Sequence, residues 1–156
     1  MKIIKQAHLD DEQKKQLFEL WNNEYPERLA YQSIENLEKY LDKLANQTHY
    51  LLLNEQQNIQ GWATTFLRDN ERWFAIIVSE KLQGKGMGTQ MLNKLKEDET
   101  VLNGWIIDHD ADKKSNGKDY KSPVEFYQKN GFEMIADTRL ELEIMSAVKM
   151  KWTKPS

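Results

Sequence analysis

Apolar and polar positions change register several times along the chain, and each change marks an element. Residues 2–6 form a short β-like start. Asp10 or Asp11 stands where a helix cap belongs, ahead of Leu17, Phe18, Leu20 and Trp21 at helical spacing. That helix is expected to end before Pro26. A second helix starts at Ser33, with Ile34, Leu37, Leu41 and Leu44 on one face. Residues 50–53 and 59–67 read as strands, and the polar stretch 54–58 joins them in a hairpin. Asp69-Asn70 turns the chain into residues 72–78, the most apolar strand and so expected to be central.

A glycine-rich loop follows, then a helix over 88–97 with Met87, Met91, Leu92 and Leu95 as its buried stripe. Residues 101–107 read as a strand and 108–121 as a long polar loop. Ser122-Pro123-Val124-Glu125 predicts a helix start, with serine as cap, proline first and glutamate closing a capping box. Gly131 is placed to end that helix in a left-handed cap. Two strands close the chain. In the last, Val148, Met150 and Trp152 alternate with Lys149 and Lys151, so one face is buried and one wet. The order β-α-α-β-β-β-α-β-α-β-β predicts a mixed α/β sheet with helices packed against it.

Composition narrows the chemistry. With 156 residues, the chain fits a single domain spanning 1–156. It has no cysteine, which excludes a disulfide framework, a thiol nucleophile and thiolate zinc sites. The N-terminus lacks an apolar core of signal-peptide length, and the longest apolar run, 73–78, is too short to span a bilayer. A cytoplasmic protein without a membrane partner is expected. Net charge is −3 and charges are interspersed, with no long basic stripe, so no nucleic-acid partner is expected. The five tryptophans, Trp21, Trp62, Trp73, Trp105 and Trp152, fall in patterned elements and read as core. His8 and His49 lack a supporting constellation.

Candidate chemistry begins at Gln83-Gly84-Lys85-Gly86-Met87-Gly88. Its glycines free the backbone to turn N–H groups toward one point, and the following helix adds its positive dipole end. That combination suits a phosphate or pyrophosphate. No lysine followed by serine or threonine closes the loop, so it is not a P-loop. The spacing G-x-G-x-G also fails the dinucleotide fingerprint. On its own the stretch is equally compatible with a glycine-rich turn that binds nothing.

The segment from Ile76 through Gln83, Gly86 and Gly88 to Leu92 resembles motif A of the GNAT superfamily of N-acetyltransferases. Phe126-Tyr127 and Gly131-Phe132 resemble its motif B at the expected separation. The element order agrees, so the resemblance covers essentially the whole chain. It implies a mostly antiparallel sheet, with flanking helices, that splays between two central parallel strands, here 72–78 and 101–107. Acetyl-CoA is implied as co-substrate in that cleft, with no metal. Backbone groups near Ile77 and Val78 would bond the pantetheine arm. Amides of Gln83, Gly84, Lys85, Gly86, Met87, Gly88 and Thr89 would hold the pyrophosphate, and Lys85 would add charge.

The resemblance implies direct attack of a primary amine on the thioester carbonyl, which agrees with the lack of cysteine. Such an enzyme supplies position, a neutral amine and a proton for the leaving thiolate. Making a lysine-like amine neutral at pH 7 costs roughly 4.6 kcal/mol, against about 1 for an α-amine, so a base or water relay matters more for the first. By resemblance Tyr127 is the general acid. Glu71, Asp108 and His109 are the candidate bases. Tyr120 and Pro123 stand where many members carry asparagine and a small residue, so one side-chain contact to pantetheine is missing, and Ser122 is placed to replace it. Asp108, Asp110 and Asp112 also invite a calcium reading, but Lys113 stands where such a loop needs glycine and Asp119 where it needs glutamate. Rival readings are a non-catalytic acyl-CoA-binding module and another acyl-CoA donor. The acceptor stays open among small amines, amino sugars, polyamines and peptide amines, as does a monomer against a homodimer.

Overall fold

A computed structural model describes all residues from Met1 to Ser156. Seven strands form one sheet in the order β1-β2-β3-β4-β5-β7-β6. They are β1 (Lys2–Gln6), β2 (Ala45–Leu53), β3 (Ile59–Arg68), β4 (Glu71–Val78), β5 (Val101–Ile106), β6 (Glu133–Leu142) and β7 (Met145–Thr153). The helices are α1 (Asp11–Glu24), α2 (Ile34–Asp42), α3 (Met87–Glu97) and α4 (Val124–Lys129). Every neighbouring pair of strands is antiparallel except β4 and β5, which run parallel. The mixed sheet with flanking helices is the architecture expected from the sequence.

Alternate residues of the central strands feed two separate cores. Tyr50, Leu52 and Phe74 face α3 and α4 with Met91, Leu92, Leu95, Tyr127 and Phe132. Leu51, Leu53, Trp73 and Ile77 face α1 and α2 with Leu17, Trp21, Leu37 and Leu41. Trp21, Trp62, Trp73 and Trp152 are buried, and Trp105 is half-buried against Trp73. No helix is long and apolar enough to cross a membrane.

The capping residues divide. Asp10 caps α1: its carboxylate accepts from the Gln13 amide at 2.8 Å, and the Gln13 side chain accepts from the Asp10 amide at 3.0 Å. At α4 the expected capping box is absent. The helix begins at Val124 with Pro123 at its cap. The Ser122 hydroxyl instead donates to the Ile107 carbonyl at 2.6 Å. The same oxygen still accepts from the Val124 amide, the first of α4, in a long contact of 3.4 Å. Gly131 does close α4 in the left-handed region, with φ +88°, while the Phe132 amide donates to the Tyr127 carbonyl.

His49 is fully buried in β2 with both ring nitrogens engaged. Nδ1 accepts from the Trp62 indole N–H at 3.0 Å, and Nε2 donates to Gln47 Oε1 at 2.6 Å. Gln47 in turn donates to the carbonyls of Leu41 and Leu44 at the end of α2. This histidine is a structural link between sheet and helix.

Candidate functional site

β4 and β5 are in register at a single point, Trp73 opposite Asn103. Beyond it β4 stays paired with β3 as far as Val78, and β5 stays paired with β7 as far as Ile106. Each strand follows its outer neighbour, so the two diverge toward their C-terminal ends. Side chains stitch the closed end. Asn103 Nδ2 donates to the Arg72 carbonyl at 3.0 Å and to Glu71 at 3.3 Å, while Arg72 donates to Glu99 and Thr65.

The glycine loop lies at the open end, straight after β4. A short 3-10 turn, Glu80–Leu82, leads into it. Gly84 and Gly86 adopt φ +78° and +76°, the left-handed region in which a side chain is strained. The amides of Gln83 and Lys85 already donate within the loop, to Glu80 and Leu82. The amides of Gly84, Gly86, Met87, Gly88 and Thr89 donate to no backbone carbonyl. No side chain caps α3 either. The donor set is therefore narrower than the sequence suggested, and it sits on the positive end of α3.

Gly88 has a different task. A Cβ there would come within 2.9 Å of the Phe126 ring. Its bareness lets α4 lie against the first turn of α3, so the glycine loop and the Phe126-Tyr127 pair are parts of one contact. Tyr127 is buried, its ring edge-on to Phe74, Phe126 and Phe132. Burial pushes its phenol well above the ordinary tyrosine range, with Tyr120 adding to the effect.

The three candidate bases do not come together. Glu71 lies at the closed end of the splay, bonded to Asn103 and Lys149. Asp108 follows β5 at the open end but is held by both terminal nitrogens of Arg139, at 2.8 and 3.0 Å. That bond holds its carboxyl below the usual range and makes it a weak base. His109 Nδ1 accepts from the Ala111 amide at 3.1 Å, and its Nε2 lies 3.9 Å from Asp112. No cluster of carboxylates and histidines is arranged to hold a metal ion.

The 108–121 loop carries residues that the sequence left unread. Its backbone pairs with the α1–α2 connection: Lys114 bridges to Pro26, and the Glu27 amide donates to the Lys113 carbonyl at 2.8 Å. Lys114 is buried and reaches Glu24 Oε1 at 3.2 Å and Glu80 Oε2 at 3.0 Å. Burial pushes its ammonium down, but the bonds to Glu80 and Glu24 outweigh that and hold it above the usual lysine range. Arg28 donates to Asp112 Oδ1 at 2.8 Å and to the Glu143 carbonyl at 2.7 Å. Thus α1, the 108–121 loop, the β6–β7 turn and the entry to the glycine loop are tied by charged contacts. Lys114 and Glu24 lie 90 positions apart. No local pattern could have joined them.

The Gly86 geometry has a measurable consequence. Gly86→Ala forces a Cβ into the left-handed region at a cost of about 1–2 kcal/mol. The variant is expected to lose that much stability in denaturant titration, and an unchanged midpoint refutes it.

Residues 8–154 match the family model described as an acetyltransferase (GNAT) domain. No curated protein sequence matches the chain. Among solved structures, an aminoglycoside 6'-N-acetyltransferase complexed with coenzyme A aligns at TM-score 0.74 and 15% identity, covering 100% of both chains. The aminoglycoside 6'-N-acetyltransferase from Enterococcus faecium aligns at TM-score 0.72 and 15% identity, again over 100% of both. The Vibrio cholerae spermidine N-acetyltransferase, in complex with CoA and spermine, gives TM-score 0.68 and 17% identity, over 97% of this chain and 95% of that one. At such identities these likenesses speak for the fold.

Proposed function

The chain belongs to the GNAT acetyltransferase family, and from that premise we propose that it moves an acetyl group from acetyl-CoA to a primary amine by direct attack. The free amides at the mouth of the β4–β5 splay carry this reading. Gly84, Gly86, Met87, Gly88 and Thr89 would receive the pyrophosphate at the positive end of α3. The Lys85 ammonium, exposed beside them, adds charge. On the side facing β5, the backbone of β4 near Ile77 and Val78 has no ladder partner and is available to the pantetheine arm.

The chemistry asks little of covalent catalysis. The amine nitrogen bonds to the thioester carbonyl carbon, the carbon–sulfur bond breaks, and the Tyr127 hydroxyl gives the thiolate its proton. Ser122 is committed to Ile107 and is not counted among the pantetheine contacts. Glu71 is remote from the open end, Asp108 is locked to Arg139, and His109 Nδ1 is taken by the Ala111 amide while its Nε2 stands 3.9 Å from Asp112. The amine's proton therefore leaves through water at the open end rather than to a fixed side-chain base.

The deciding measurement is thiol release from acetyl-CoA with a panel of primary amines, run beside succinyl-CoA as a rival donor. Amine-dependent release supports acetyl transfer. Coenzyme A binding without release under any amine reduces the protein to an acyl-CoA-binding module, and a preference for succinyl-CoA moves the reading to another donor.

A further inference from the structure

The acceptor side of the fold has an uneven charge account. The buried Lys114 and the exposed Arg28 and Arg139 are each already held by carboxylates. Lys114 meets two, Glu24 and Glu80. Arg139 meets two, Asp108 and Glu141. Arg28 meets Asp112 and the Glu143 carbonyl. The outer lysines Lys113 and Lys118 likewise face Asp119 and Glu80. Lys121, the one lysine of this loop outside any ion pair, is exposed, so a substrate carboxylate that enters more deeply meets cations already paired.

One buried carboxylate oxygen is left without a partner. Asp112 is only 6% exposed, yet its Oδ2 has no hydrogen-bond partner. Its other oxygen is fixed by Arg28 at 2.8 Å. A buried carboxylate oxygen without a donor is costly, and such groups call for an explanation. The Nε2 of the partly exposed His109 ring stands 3.9 Å from this oxygen, beyond hydrogen-bond reach.

Tyr120 lies beside this anion. The Tyr120 amide donates to the Asp112 carbonyl at 2.9 Å, and the carboxylate lies close enough to the Tyr120 phenol to oppose its ionisation. The pairing of Lys113 and Lys114 with Pro26 and Glu27 brings Tyr25, one residue earlier, to the same place. Tyr25 stands edge-on to Trp21, with ring centroids 4.7 Å apart, and its phenol has Tyr120 and Tyr127 as neighbours. Tyrosine faces and a carboxylate together attract an ammonium. Arg68, beside Tyr40 at the outer end of this aromatic group, is stacked on Phe66 and Trp73.

We propose that the acceptor is an amine that bears a second cationic group and no carboxylate, with that second ammonium held between Tyr25 and Tyr120 against Asp112 Oδ2. This rests on the acetyl-transfer reading above. The reacting amine then points toward Tyr127 and the thioester, and displacement of the His109 ring opens the Asp112 oxygen. The second ammonium supplies the hydrogen bond that Oδ2 lacks.

Three amines of matched length test this: hexylamine, 1,6-diaminohexane and 6-aminohexanoate. They share one reacting amine and differ in the charge of the tail. The expected kcat/KM order is diamine above hexylamine by about tenfold, and hexylamine above aminohexanoate by a similar factor. In Asp112→Asn the diamine-to-hexylamine ratio falls to about one. Because both substrates are measured on the same sample, loss of folded protein cancels from that ratio. If the variant does not fold, the order in the unaltered protein decides alone. Aminohexanoate equal to or better than hexylamine overturns the proposal, as does a ratio that Asp112→Asn leaves unchanged. Failure of all three to release thiol counts against acetyl transfer instead. Calorimetric binding of the three amines to the CoA-bound protein then decides the tail preference, the same order supporting it and no order refuting it.

Discussion

Tyr127→Phe is expected to lower kcat by about 100-fold or more, with the acetyl-CoA KM within about twofold of its original value. The substitution removes one oxygen and keeps the ring, so the edge contacts with Phe74, Phe126 and Phe132 persist. Stability should hardly change. The large effect falls on the step in which the thiolate leaves, because that is where the proton is needed. Burial pushes the phenol up, so it stays protonated above the ordinary tyrosine value of about 10. Rising pH across the neutral and mildly alkaline range therefore does not disarm it, and kcat should show no descending limb there that disappears in the variant. Stopped assays of thiol release from pH 6.5 to about 10 for both proteins check the two statements. A variant with the parent's kcat would return Tyr127 to a packing role.

Acidification should weaken the fold by roughly 3 kcal/mol through His49 alone. Burial is the main cause that lowers its value from 6.5 to about 4, with His8 adding to it. The unfolded chain takes up the proton near 6.5, while the folded chain resists it until about 4. Between those values the unfolded state binds more protons, so stability falls as pH falls. The contribution is fully present above 6.5 and fully lost below about 4. The structural reason is plain: Nδ1 accepts from Trp62, and a charged ring would turn that contact into two opposed donors. Denaturant titrations at pH 7, 5.5 and 4.5, for the parent and His49→Gln, isolate the effect. Carboxylates titrate in both proteins, so the difference between the curves belongs to His49. Parallel curves would refute it.

Much of the donor side was legible because its signals are local. Gly84 and Gly86 announce a left-handed turn wherever they fall, and a helix that starts just after them has free amides by geometry. Even there the sequence overcounted: Gln83 and Lys85 look like donors until the 3-10 turn at Glu80–Leu82 takes their amides. Gly88 looked like a third flexible position and is instead a packing position under Phe126. Ser122 carries every mark of a helix cap, yet Pro123 holds the cap position of α4, and the serine oxygen reaches only the Val124 amide while its proton goes to the Ile107 carbonyl.

The chain's own order of apolar stripes, caps and glycines determined the element sequence, the two faces of the sheet and the left-handed turns of the glycine loop. These follow from periodicity and backbone sterics, which act over a few residues. Tertiary structure alone decided which charges meet. Glu24 with Lys114, Arg28 with Asp112 and Asp108 with Arg139 are long-range pairs. Their partners were chosen by how β4 and β5 part and by which loop closes over the gap. A charged side chain has no periodic signature, and its strength as acid, base or anchor depends on burial and on the one partner it finds. The glycine loop's backbone could therefore be read from the sequence, while the burial of Asp112 waited on the tertiary structure.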